Sequence, residues 1–261
     1  MLRFDMSQLY NGMGVSQGLE RGLLVYWDDV LLLEEGMGIG ACAFQTGGYT
    51  YFTSIKEINK TGDEIETICS IDRRLEIKIL GIRTRMATRA QEFIATNVYM
   101  KHKISQIPIL FLFVFSRKLF HVKSCFVKGP PLGEVRVAYG LEKSGVLVDI
   151  SCTLEKKGKF FVMNELGGGI FNKSIAGGKL SNPPLGWQKM EGPRELYSSA
   201  QSLAFTMEER HVPDNVKSKL CWGREKLLNN CNWAGFESEI VCDSSEFKNY
   251  TYSINFREVT K

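Results

Sequence analysis

From Glu64 onward the chain alternates. Ile65, Thr67, Cys69 and Ile71 fall on one side of a period-two pattern, with Glu64, Glu66 and Ser70 on the other. After Asp72-Arg73 the rhythm resumes, Leu75, Ile77 and Ile79 opposing Arg74, Glu76 and Lys78. A period of two is the mark of strands with one wetted face, and it predicts a pair of strands here. The same idiom organises Glu20–Ile55. Leu23–Trp27 and Val30–Leu33 flank Asp28-Asp29, and Ile39–Gln45 and Tyr49–Ile55 flank Thr46-Gly47-Gly48. Both read as tight hairpins. Between them Gly36, Gly38 and Gly40 leave one side of the backbone bare.

Further along, Val122–Val127 reads as a strand stopped by Gly129-Pro130-Pro131, since proline cannot donate to a ladder. Val135–Tyr139, Val146–Leu154, Phe160–Met163, Phe236–Cys242 and Thr251–Val259 continue the strand pattern, and Ile107–Phe115 reads as a strand buried on both faces. Residues 164–193 break the rhythm with Gly167-Gly168-Gly169, Gly177-Gly178 and Asn182-Pro183-Pro184, which suits a functional loop or a seam between sub-domains. Glu195–Met207 fits helical and strand spacing equally. Asp214 is placed to cap a helix through Val216, Leu220, Lys226 and Leu228, with Gly223 weakening it.

The expected fold is therefore all-β or β-dominated: a large antiparallel β-sandwich or barrel-like sheet with one or two short helices near the C-terminus. The length of 261 residues accommodates a single large β domain over 1–261, or two packed β sub-domains over 1–130 and 131–261.

Composition narrows the function classes. With 44% hydrophobic residues the chain can build a sizeable core, and a net charge of +4 is mild. Basic residues gather between Arg73 and Arg89 but make no unbroken stripe, which argues against a dedicated nucleic-acid binder. None of the seven cysteines forms a C-x-x-C pair, and the three histidines have no zinc-like spacing, so no metal site is expected. No cofactor fingerprint is present: Gly36-x-Gly38-x-Gly40 has the wrong spacing for a dinucleotide, and Gly167-Gly168-Gly169 lacks the Lys-Ser/Thr of a phosphate loop. The N-terminus has no apolar run of signal-peptide length, and Ile107–Phe115 is too short to span a bilayer, giving an expectation of a cytoplasmic chain with no membrane association.

Candidate chemistry rests on carboxylates beside bare backbone. Glu34 and Glu35 end a strand and meet the first glycine run; Glu165 ends another and precedes three glycines. Two such groups flanking a glycosidic bond can serve as acid and base or nucleophile. Arg83 and Arg85, two apart on one strand, would point the same way and could hold an anion. Trp187 and Tyr51 are the aromatic candidates for a ligand wall. Two function classes fit these features. One is a pocket for a small organic or carbohydrate ligand, with carboxylate acid-base chemistry on it. The other is a non-catalytic interaction domain, able to form a homodimer through an exposed strand edge or the 164–193 stretch.

Overall fold

The computed structural model describes residues 2–6, 21–32, 36–80, 82–83, 123–167, 170–184, 186–225, 233–242 and 245–259. Ile107–Phe115, Glu34, Glu35, Arg85, His102 and His121 lie outside these residues.

In chain order the strands are β1 (Leu2–Met6), β2 (Leu23–Trp27), β3 (Val30–Leu31), β4 (Gly38–Thr46), β5 (Tyr49–Thr61), β6 (Glu64–Ile79) and β7 (Ile82–Arg83). They continue with β8 (Lys123–Lys128), β9 (Gly133–Glu142), β10 (Gly145–Leu154), β11 (Lys159–Gly167), β12 (Lys173–Ala176) and β13 (Lys179–Ser181). The last are β14 (Gly186–Lys189), β15 (Glu195–Ser198), β16 (Leu203–His211), β17 (Val216–Glu225), β18 (Trp233–Cys242) and β19 (Glu246–Glu258).

Among the described residues all belong to one 19-stranded antiparallel sheet. Its main path runs β13-β12-β15-β16-β19-β10-β9-β6-β5-β4-β11-β18-β17-β14. The end strands β13 and β14 share no ladder, so the sheet stays open. Instead of closing, it doubles over. Tyr252 on β19 donates its hydroxyl to Asn164 Oδ1 on β11 at 2.9 Å, and Tyr139 on β9 donates to the Ile39 carbonyl on β4 at 3.2 Å. Phe205 on β16 meets Phe236 on β18 edge-on, with centroids 5.3 Å apart. The core lies between the two halves, around Phe44, Phe160, Phe236, Tyr250 and Tyr252.

This corrects the expected architecture. The described residues form neither a closed barrel nor two separate stacked sheets, and they contain no helix. The helix expected from Asp214 is strand β17, paired with β18 along its whole length from Val216↔Cys242 to Glu225↔Trp233. Val216, Ser218, Leu220 and Trp222 face one side of it, so Val216 and Trp222 are buried and Leu220 partly buried by alternation. Pairing with a neighbour outweighed a weak helical pattern that already contained Gly223.

Three smaller expectations also change. Asp72-Arg73 does not divide two strands: β6 passes straight through it, and buried Asp72 accepts a hydrogen bond from Ser54 Oγ at 2.6 Å. The 164–193 stretch is no long loop, since Gly177-Gly178 turns the hairpin between β12 and β13. Glu195–Met207 resolves into β15 and the start of β16. The expected hairpin turns stand: Asp28 and Asp29 have φ of 46° and 63°, and Gly47 and Gly48 have 59° and 75°, as a two-residue turn matched to strand twist demands.

Candidate functional site

Strand β11, KFFVMNELG, is buried on both faces beyond Phe161. Phe160, Val162, Asn164 and Leu166 enter the main core, while Phe161, Met163 and Glu165 point to the opposite side of the sheet. Residues directly opposite in an antiparallel ladder share a face, so the register assembles this second face row by row. Glu165 lies between Gly38 on β4 and Gly235 on β18. Gly235 is opposite Gly223 on β17, and Gly223 is opposite Trp187 on β14. Glu165 and Trp187 thus stand at the ends of a strip with two glycines between them, each packed against neighbouring backbone: a methyl group on Gly223 would overlap the Gly186 carbonyl oxygen, and one on Gly235 that of Asn164. Three strand spacings separate their backbones, about 14 Å. One row along, Met163 is opposite Glu237, and Glu237 is opposite Cys221. The next row places Glu239 between Phe161 and Lys219.

Glu165 and Glu237 are diagonal neighbours on adjacent strands, 5% and 6% exposed. Glu165 Oε2 accepts the Met37 amide at 3.3 Å. Burial drives the Glu237 carboxyl well above its ordinary range; Glu165 and Glu239 push the same way, and Lys219 opposes them. Two buried carboxyls on neighbouring strands resist ionising together, so Glu237 binds its proton more tightly than an exposed glutamate does. Burial also raises the Cys221 thiol to about 11. Glu239 is compensated at the edge by Lys159, 2.7 Å away.

The register brings together some of the expected site residues and separates others. Glu165 and Trp187 share a face. Tyr51 does not: it is opposite Phe44, which points into the main core, so it lies on the other side of the sheet. Arg83 ends the short strand β7 opposite Lys78. Sequence reading missed Glu237, Gly223 and Gly235. In Phe236-Glu237-Ser238-Glu239-Ile240 the glutamates occupy the polar half of an alternation and read as wetted; only the lateral neighbours bury Glu237. Among the described residues no group of three or more His, Cys, Asp or Glu side chains converges as a metal site would require.

The fold and this face define an open β-sheet protein with a buried carboxylate pair and a tryptophan on one surface. No known family profile matches the sequence, and no curated protein matches it. Among solved structures the chain is similar to a 4-alpha-glucanotransferase from Thermococcus litoralis, at 9% identity and TM-score 0.39, over 85% of this chain and 27% of that one. A heparan sulfate lyase mutant from Pedobacter heparinus shares 7% identity at TM-score 0.42, over 94% of this chain and 31% of that one. A putative mutarotase from Salmonella typhimurium shares 8% identity at TM-score 0.35, over 79% and 65%. The chain therefore spans less than a third of the first two structures. At this level of similarity no residue role transfers to it. No helix among the described residues is long and apolar enough to cross a membrane.

Proposed function

We propose that the chain binds a carbohydrate along the strip between Glu165 and Trp187, and that Glu237 and Glu165 act on it as an acid-base pair. The observation that carries this reading is the pair of buried carboxyls, Glu237 diagonal to Glu165 across the β11–β18 ladder, on the face that also bears Trp187. A carboxyl group whose proton affinity is raised can donate to a departing sugar oxygen, and a second carboxyl beside it can serve as base or nucleophile. The indole of Trp187, 8% exposed, is the aromatic group at the far end of the strip against which a sugar ring would rest. Gly223 and Gly235 place no side chain between them. Tyr51, on the other side of the sheet, has no part in this site.

Turnover of unactivated oligosaccharides, measured as new reducing ends, tests the proposal. Glu237→Gln and Glu165→Gln should each lower kcat by about 10²–10⁴-fold. An aryl glycoside with a good leaving group should restore much of the rate in Glu237→Gln alone, because it needs no acid. Wild-type rates in both variants, or no sugar turned over by the wild type, would exclude acid-base action by this pair.

A further inference from the structure

On the other side of β17 from this strip, the open end of the doubled sheet encloses a cleft of about 880 Å³. It lies between the Gly177-Gly178 turn, the segment entering β15, and strands β16 and β17. Its size falls in the range of small-molecule sites. Met190, Met207 and Leu220 supply apolar wall.

The charges around it are matched except at two positions. Arg257 and Glu195 form a two-pronged ion pair. Arg210 pairs with Glu208 at 3.2 Å. That leaves Arg194 and Glu209. Arg194 has its guanidinium over the Trp222 ring, 4.6 Å from the centroid, and its Nε is buried without a hydrogen-bond acceptor. No carboxylate among the described residues forms an ion pair with it. Glu209 accepts hydroxyl donors on a single oxygen, from Tyr250 at 2.6 Å and from Ser218. Its second oxygen has no donor among the described residues.

From this arrangement we infer that the cleft is a binding site for a small hydroxylated carboxylic acid, such as a sugar acid. The ligand carboxylate pairs with the guanidinium of Arg194, where a charge-assisted fork is strongest. Its hydroxyls donate to the open oxygen of Glu209, extending the hydroxyl-to-carboxylate pattern that Tyr250 and Ser218 have begun. The carbon skeleton rests on Met190 and Leu220. The site uses none of the groups on the opposite face, so it stands or falls independently of Glu165 and Glu237.

Isothermal titration with D-glucuronate tests this, with its neutral methyl ester, D-glucose and D-glucosamine as comparisons. Wild-type protein should bind glucuronate, and Arg194→Met should weaken it by about 10- to 100-fold while leaving the ester unaffected. Glu209→Gln should weaken glucuronate less. In the unaltered protein, the labelled methyl signals of Met190 and Met207 should move on addition of millimolar glucuronate, which keeps the test decisive if a variant fails to fold. Equal affinity for glucuronate and its ester, preference for glucosamine, or unmoved methionine signals would overturn the inference.

Discussion

Glu237 shows how a single residue couples this sheet to pH. Facing it on its own and adjacent strands, among the described residues, are Glu165, Glu239, Lys219 and Cys221. Burial comes first among the causes of its raised value and the two carboxylates follow. The folded chain keeps a proton that the unfolded chain releases above the ordinary value of 4.5. This contribution to stability is fully present below 4.5 and is lost as pH rises through the folded value, the reverse of a salt-bridged carboxylate. Glutamine cannot ionise, so Glu237→Gln should be progressively more stable than the wild type as pH rises from acid to neutral. Urea unfolding midpoints of the two proteins across that range measure the gap. A gap that does not change with pH would mean that Glu237 is ionised in the fold. Cys221, raised to about 11, adds a further loss only on the alkaline side.

At the scale of the element, Gly40 controls where β4 changes register against β11. Ile39 pairs with Asn164 and Ala41 with Met163, leaving Gly40 as the extra residue of a bulge with φ of 76°. Its amide donates to Asn164 Oδ1 at 3.0 Å, the same oxygen that accepts Tyr252. A methyl group there would sit 2.7 Å from the Tyr139 hydroxyl. Gly40→Ala therefore combines a left-handed backbone cost of about 1–2 kcal/mol with overpacking of about 1–3 kcal/mol. A denaturation midpoint unchanged from wild type would show that the bulge is not held as described.

The glycines of this crossing were visible in the sequence as a bare stretch of backbone, and so were the two hairpin turns, because turn chemistry is local. Strand β17 was not, since its partner is β18 and neither periodicity nor capping reports a ladder. The site divides in the same way. Glu165 stood out because it closes an apolar run before glycines. Glu237 is buried by β11, more than seventy residues earlier in the chain, and no local pattern encodes that meeting.

For the whole molecule, the decisive feature is where the last strand goes. β19 is inserted between β10 and β16, pairing Gly145 with Asn255 on one side and Leu203 with Glu258 on the other. Tyr250, Tyr252 and Ile254 on it are fully buried, and Tyr252 reaches across the core to Asn164. The two sides of the doubled sheet cannot come together until the C-terminal strand is available, a long-range closure of the kind that slows folding. β1 is different: among the described residues it pairs only with β2, and its Leu2, Phe4 and Met6 lie partly buried at the core's margin, Phe4 6.4 Å from Phe256. Deleting residues 246–261 should therefore abolish cooperative unfolding, because it exposes two ladders and the centre of the core together. Deleting residues 1–6 should lower the urea midpoint but keep a single sharp transition. Tryptophan fluorescence during urea unfolding separates the two outcomes. A cooperative transition in the chain lacking 246–261 would mean that β10 and β16 can close the core without the strand between them, contrary to the path of the sheet.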